Sequence, residues 1–383
     1  MNYFPTYLAM GDSFCNRKDE LQRVIQDIED GTPVLLISPR RYGKTSLALR
    51  ALEKQKWLYA HVDLYKAFSE EDVTRFILNG VGVLLGQLET VPKKLLALAG
   101  DFFSRLNVQV SYHGAGLGLS FKDKDAPGGD EMLLSTLEKL NELALTKNKK
   151  VVLFLDEFQM VGEVSLNHRI EAVLREVAQK STGLGFIFSG SNRHLMEQMF
   201  NDKKRPFYKL CDQIKIERIS EQAYIQHIQK AALIKWKQHL NEPLILKILS
   251  ITELHSYYVN KLCSMVWQDS NIPTEKSVEG TWISLVLENK SVTERELSLL
   301  SLSQRKLLLY IAEQGKIQSA YGRESMQGMD LSIGGVQSAL KSLMQADYVY
   351  KDQSGYYCIL DPLLKSTLHM KGVYNRVNAP NSQ

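Results

Sequence analysis

Basic and hydroxyl residues follow a short apolar run near the start of the chain. Residues 34–37 predict a buried strand, and the loop that begins at Ser38 passes through Gly43 into Lys44 and Thr45. Glycine lets the backbone approach an anion, and the first turn of a helix offers it unpaired N–H groups. Lysine supplies a charge for the β- and γ-phosphates, and a threonine hydroxyl suits Mg²⁺. The pattern predicts a phosphate-binding loop.

This loop departs from the usual pattern at its first position, where Ser38 replaces glycine. Serine can make the required turn if its φ is negative. A strand-to-helix turn that contains Gly-Lys-Thr by chance is the alternative interpretation. The residues predicted to contact the nucleotide are Ser38, Pro39, Arg40, Arg41, Tyr42, Gly43, Lys44, Thr45 and Ser46.

Two carboxylates end a second apolar run. Residues 151–155 are all apolar, as is typical of a strand buried on both faces of a parallel sheet, and Asp156 and Glu157 follow them. Ligands of such sheets lie at the carboxyl ends of the strands. We therefore expect Asp156 and Thr45 to hold Mg²⁺, directly or through water, and Glu157 to orient an attacking water. Solvated acids at a strand end are the alternative.

A third apolar strand, over residues 185–188, ends in small and polar residues. Ser191 and Asn192 are the candidates for contact with a γ-phosphate or with the attacking water. The alternative is a plain turn after a strand.

Together these motifs resemble the archaeal-ATPase-like branch of the AAA+/STAND P-loop NTPases. The resemblance implies an α/β fold, with a parallel-sheet P-loop core followed by a helical lid and a winged helix. It also implies that ATP and Mg²⁺ are the cofactors and that the protein is an ATP hydrolase. The matching segments are residues 39–47, Asp156-Glu157-Phe158-Gln159, and Ser189-Gly190-Ser191 followed by Met196.

The resemblance also suggests roles for residues outside these motifs. Phe14 and Arg17 match a segment that lies near the adenine in this family, and His255 matches a histidine that approaches the phosphates. In oligomeric P-loop enzymes an arginine can reach a neighbour's γ-phosphate. Arg205 and Arg193 are both candidates for this role, and a solvated basic loop is the alternative.

Changes of pattern along the chain predict the domains. The second helix of the predicted winged helix directs one basic residue outward, Lys341, beside Ser332, Gly334, Gln337 and Ser342, so we expect a protein partner or self-association rather than specific DNA reading. The predicted domains are an ATPase core at 1–219 with an inserted helix and hairpin at about 91–130, a helical lid at 220–295, a winged helix at 296–374 and a flexible tail at 375–383.

Composition favours a protein of the cytoplasm. The chain has 383 residues, a net charge of +4 and four cysteines without zinc or redox spacing. The first ten residues lack a signal-peptide pattern, and no apolar run could span a membrane.

The leading hypothesis is a slowly hydrolysing ATP switch, in which the nucleotide state shifts the lid and winged helix. The alternatives are a nucleotide-gated DNA-binding regulator and a scaffold that binds nucleotide only to fold.

Overall fold

The computed structural model describes residues 3–103, 108–112, 117–121, 129–165, 167–352 and 354–377. It divides into a core unit, Asn16–Glu217, and a C-terminal unit, Arg218–Gln383 together with Met1–Cys15. Residues 104–107, 113–116 and 122–128 of the predicted insertion and residues 378–383 of the predicted tail lie outside the described residues.

The core unit alternates strands and helices. Its elements are α1 (Lys18–Glu29), β1 (Val34–Ile37), α2 (Lys44–Gln55), β2 (Leu58–Asp63), α3 (Glu70–Leu88), α4 (Pro92–Phe102), β3 (Val108–Tyr112), β4 (Leu117–Phe121), α5 (Gly129–Thr146), β5 (Val151–Asp156), α6 (Gln159–Val164), α7 (Arg169–Lys180), β6 (Leu184–Gly190), α8 (Arg193–Asn201) and β7 (Asp212–Lys215).

A parallel five-stranded sheet, in the order β2-β5-β6-β1-β7, forms the centre of the core unit. Every residue of β1, β5 and β6 is buried, whereas the edge strands β2 and β7 are partly exposed. The three apolar runs therefore fill the middle of the sheet, as predicted. Because the strands are parallel, the segments after β1, β5 and β6 meet at one edge.

Helices and a hairpin surround the sheet. Ser69 caps α3 by accepting a hydrogen bond from the backbone of Asp72, and the helix dipole favours the acidic residues of the first turn. In the predicted insertion, β3 pairs antiparallel with β4, and Val108 lies opposite Phe121. The short helix α6 was not predicted, because six residues are too few to show a helical period.

In its described residues, the C-terminal unit consists of helices and one pair of strands. Its elements are a 3-10 turn (Gly11–Ser13), α9 (Glu221–Trp236), α10 (Glu242–Ile251), α11 (Ser256–Val266), α12 (Glu275–Glu288), α13 (Lys290–Ser298), α14 (Leu302–Gln314), α15 (Arg323–Met329), α16 (Ile333–Gln345), β8 (Val349–Lys351), β9 (Tyr357–Ile359) and α17 (Pro362–Val377). The antiparallel β8–β9 pair is the predicted wing.

The last helix joins two apolar cores within the C-terminal unit. Leu363 packs into the core of α9–α12, whereas Leu364 and Leu368 pack into the core of the winged helix. The predicted tail began at residue 375, but α17 continues to Val377, so this boundary was wrong. No proline lies between Pro362 and Val377 that would end the helix earlier.

The first residues belong to the C-terminal unit, although the predicted core domain began at residue 1. Phe4 is 1% exposed, and its ring centroid lies 4.8 Å from that of Trp267 and 5.7 Å from that of His227. Asn260 also donates a hydrogen bond of 2.8 Å to the carbonyl of Pro5. The N-terminal arm thus contributes a ring to the helical core. Burial of such a ring stabilises the fold by about 2 kcal/mol.

Acid should destabilise the C-terminal unit through His227. Burial, with a smaller effect of Lys230, lowers the pKa of His227 to about 4. The neutral ring is therefore favoured in the fold, and this stability is present above pH 6.5 and is lost as the pH falls towards 4. We expect a loss of at most roughly 3 kcal/mol between pH 7.5 and 4, measured by urea unfolding.

The His227→Gln variant should lose less stability over the same pH interval, because glutamine does not titrate. His239→Gln, at an exposed histidine of the same unit, is the control and should behave as the wild type. Equal pH dependence in all three proteins would contradict this assignment.

None of the four cysteines, which all lie in the described residues, forms a disulfide bond, and burial raises the pKa of the Cys211 and Cys263 thiols. Within the described ranges, no helix has both the length and the apolar character needed to cross a membrane.

Candidate functional site

The loop between β1 and α2 contains a position that requires glycine. Gly43 has a φ of 94° and a ψ of 24°, in the left-handed region that side chains disfavour. Ser38 is not among the residues with positive φ, so it makes the first turn of the loop without such strain. The serine is therefore compatible with the predicted loop conformation.

The ammonium group of Lys44 lies inside this loop. Lys44 is 6% exposed, and its Nζ lies 3.0 Å from the carbonyl oxygen of Ser38 and 3.2 Å from that of Pro39. These hydrogen bonds hold the charge at the start of α2, where the backbone N–H groups also converge. The result is a cationic centre suited to an anionic group.

The acidic end of β5 reaches the same helix. The hydroxyl of Thr45 donates a hydrogen bond of 2.8 Å to Oδ2 of Asp156. Thr45 lies in the first turn of α2, which follows β1, and β6 separates β1 from β5, so the contact joins segments whose strands are not neighbours in the sheet. The two predicted metal ligands therefore lie side by side, and their hydroxyl and carboxylate oxygens are the donors that Mg²⁺ prefers.

Asp156 is 7% exposed and is surrounded by donors. Burial alone would raise the pKa of its carboxyl group, but hydrogen bonds from His61, Ser189 and Thr45 outweigh burial, and the pKa is lowered. The carboxylate is therefore ionised at neutral pH, as a metal ligand must be.

Glu157 follows in an unusual backbone conformation. Its φ of 52° lies in the left-handed region, which costs a residue with a side chain about 1 kcal/mol. Oε2 of Glu157 accepts a hydrogen bond of 2.7 Å from the hydroxyl of Ser191 and another from the amide of Gln159. Gln159 is 3% exposed and is the last residue of the Asp156-Glu157-Phe158-Gln159 motif, but it was not predicted as a site residue.

Neighbouring residues complete this cluster. The Nε of Arg40 lies 3.4 Å from the hydroxyl of Ser191. The side chain of Asn192 instead caps α8 by accepting a hydrogen bond of 3.1 Å from the backbone of Leu195. Asn192 thus has a structural role, and its predicted contact with a phosphate or water stays a prediction.

Arg17 supports the loop from the start of α1. Its guanidinium donates hydrogen bonds to the carbonyl oxygens of Tyr42, at 3.1 Å, and Glu217, at 2.6 Å, and it pairs with Glu20. Arg17 is only 5% exposed. These contacts join the loop between β1 and α2 to the end of the core unit.

Two residues suggested by the resemblance belong to the C-terminal unit. Phe14 is half-buried after the 3-10 turn, and His255 is 5% exposed at the start of α11, with its ring 5.0 Å from that of Tyr258. Their roles beside a nucleotide stay predictions.

The arginine predicted as a finger lies in a buried ion pair. The guanidinium of Arg205 is 2.6 Å from a carboxylate oxygen of Glu171, and the two side chains are 10% and 0% exposed. Burial raises the pKa of Glu171, although Arg205 and His168 oppose the shift. This pairing favours a packing role for Arg205, whereas Arg193 lies half-buried at the first position of α8.

Replacing Arg205 by methionine should destabilise the core unit by about 3 kcal/mol, because Glu171 loses its main counter-charge in a buried place. Adding Glu171→Gln should restore part of this stability, since the amide needs no counter-charge. The coupling energy between the two side chains is obtained from the free energies of unfolding in urea of the wild type, both single variants and the double variant. Lys204→Met, at an exposed neighbour, is the control. A loss for Arg205→Met below about 0.5 kcal/mol would mean that the pair acts as a surface pair.

Comparisons with known proteins show which folds this chain resembles. A family model described as a probable winged helix domain matches residues 293–370. A Walker-type ATPase of Pyrococcus abyssi superposes with a TM-score of 0.67 at 15% identity, over 96% of this chain and 99% of that chain. The ORC2 protein of Aeropyrum pernix, in ADPNP and ADP complexes, superposes with a TM-score of 0.56 at 14% identity, over 98% of each chain. A search of curated proteins found no match.

The chain has a Walker-type ATPase fold. The P-loop core and the winged helix that the motifs predicted are thereby confirmed. In this Walker-type fold, Lys44 and Thr45 begin the helix after the first strand, and Asp156 ends a strand two places away in the sheet.

Sequence reasoning missed one contact at this site. The Nε2 of His61, on β2, lies 3.2 Å from Oδ2 of Asp156. Only the pairing of β2 with β5 places it there, and the sequence carries no local signal of that register.

Proposed function

We propose that this protein binds ATP with Mg²⁺, hydrolyses it slowly and acts as a nucleotide-dependent switch. One observation carries the proposal: the hydroxyl of Thr45 and the carboxylate of Asp156 are 2.8 Å apart, and the residue before Thr45, Lys44, holds its ammonium against the carbonyl of Ser38 in the loop. The preference for ATP over GTP rests on the resemblance to the archaeal-ATPase-like family.

Each residue of the site has a distinct task. Lys44 and the first N–H groups of α2 bind the phosphates, and Thr45 and Asp156 hold the metal. Bound Mg²⁺ supplies charge neutralisation at the β- and γ-phosphates. Glu157 orients the attacking water, while Ser191 and Gln159 fix its carboxylate.

Isothermal calorimetry with Mg-ATP and a phosphate-release assay on the full chain test this function. We expect measurable heat of binding and phosphate release above the buffer blank. No heat with Mg-ATP would end the proposal. Binding and a thermal shift without phosphate release would instead support a scaffold that uses nucleotide only to fold.

A DNA-binding regulator is the second candidate, because a winged-helix model matches the C-terminal region. Charge argues against it: residues 293–370 contain eight basic and eight acidic residues. Lys341 is the one basic residue of α16, and Ser342, predicted to face outward, is partly buried and accepts a hydrogen bond from Gln304. We therefore propose that the winged helix docks to a protein, either a partner or another copy.

A gel shift on random duplex DNA at about 50 mM salt separates the two candidates, because phosphate contacts dominate at low salt. Retarded duplex that is released as salt rises would favour the regulator. No shift would favour protein docking.

A further inference from the structure

His61 stands at the junction of the sheet edge and the metal-ligand pair. It lies on the edge strand β2, directly opposite Phe154 of β5. The two rings are stacked, with centroids 4.6 Å apart and an interplanar angle of 12°. This stacking fixes the plane of the imidazole, and its Nε2 lies 3.2 Å from Oδ2 of Asp156.

The carboxylate of Asp156 is held at both of its oxygens. Oδ1 accepts hydrogen bonds from the hydroxyl of Ser189 and from the backbone N–H of Glu157. Oδ2 accepts from the hydroxyl of Thr45 and faces His61. A carboxylate acceptor requires that Nε2 carry the proton, which sets the tautomer of the ring.

We propose that His61 is a positioning residue for the metal, which acts by holding Asp156 in the orientation that metal binding needs. This inference rests on the proposed function. Thr45 and His61 both contact Oδ2. Thr45 must also turn a lone pair of its hydroxyl towards the metal, whereas His61 is not a proposed metal ligand. Donors of this kind fix the direction of a metal-binding carboxylate, and their loss commonly weakens metal affinity 10- to 100-fold.

Two substitutions separate hydrogen bonding from packing. His61→Phe retains a ring that can stack on Phe154 but has no donor. His61→Gln loses the stacking but places an amide donor at a similar reach. If His61 acts by packing, His61→Phe should retain more of the wild-type affinity than His61→Gln. If His61 positions Asp156, His61→Gln should retain more of the wild-type response to Mg²⁺.

The measurement is the affinity of the full chain for a fluorescent ADP analogue, with EDTA and with increasing Mg²⁺. In EDTA we expect both variants to bind within about twofold of the wild type, because the phosphate loop is intact. The Mg²⁺ concentration for half-maximal enhancement should rise about tenfold in His61→Phe and less in His61→Gln. In the phosphate-release assay, KM for Mg²⁺ should rise more than kcat falls.

Three results would overturn the inference. One is a wild-type Mg²⁺ response in His61→Phe, which would leave the proposed function standing. A second is a loss of affinity for the ADP analogue in His61→Phe that is equal in EDTA and in Mg²⁺, which would mean that the His61 ring acts by packing. The third is a wild type without any response to Mg²⁺, which would overturn the proposed function as well.

Discussion

Replacing Lys44 by alanine should abolish measurable ATP binding, with a dissociation constant at least about 100-fold higher than that of the wild type. The ammonium of Lys44 is buried within hydrogen-bond distance of two loop carbonyl groups, and no other lysine lies in the loop or the first turn of α2. The variant therefore loses the charge at the centre of the phosphate site. Calorimetry with Mg-ATP measures the effect.

Lys54→Ala is the matched control, because it removes an exposed lysine from the last turn of the same helix. It should bind ATP as the wild type does. Because Lys44 also holds the carbonyl groups of Ser38 and Pro39, the thermal unfolding of both variants must be compared without nucleotide. ATP binding by a folded Lys44→Ala variant with unchanged affinity would place the nucleotide elsewhere.

The Glu157→Gln variant should bind ATP within about threefold of the wild type but hydrolyse it about 100-fold more slowly. The amide has the size of the carboxylate and can still accept a hydrogen bond from Ser191, so the site keeps its shape. It cannot act as a base or polarise the attacking water. Phosphate release at saturating Mg-ATP measures the change in kcat.

Glu163→Gln, at an exposed glutamate of α6, controls for the loss of one negative charge. Normal turnover by Glu157→Gln would contradict the role assigned to this carboxylate. Ser191→Ala provides a second comparison, since it removes one donor to Glu157 but leaves the carboxylate, and its effect should be the smaller one.

The elements with local signals were predictable from the sequence. Strands β1, β5 and β6 are buried along their whole length, so each appears as an apolar run with turn residues after it. The loop between β1 and α2 and the acidic strand end were recognisable for the same reason, because their residues are adjacent in the chain.

Contacts between distant segments were not predictable. Phe4 packs against Trp267, which is over 260 residues away along the chain, so the N-terminal arm was assigned to the wrong unit. His61 reaches Asp156 only through the β2–β5 register, and Arg205 reaches Glu171 only through tertiary packing. A single sequence shows the type and spacing of such residues, but not which side chains the fold brings together.

Because α17 supplies leucines to both apolar cores of the C-terminal unit, neither core is complete without it. Tyr258 donates a hydrogen bond of 2.7 Å to Asp361, the residue before α17, and Trp282 donates one of 3.1 Å to Ser366 in its second turn. The helices α9–α12 and the winged helix are therefore expected to move together as one rigid body. A protein that docks on the wing and displaces it would displace these helices as well.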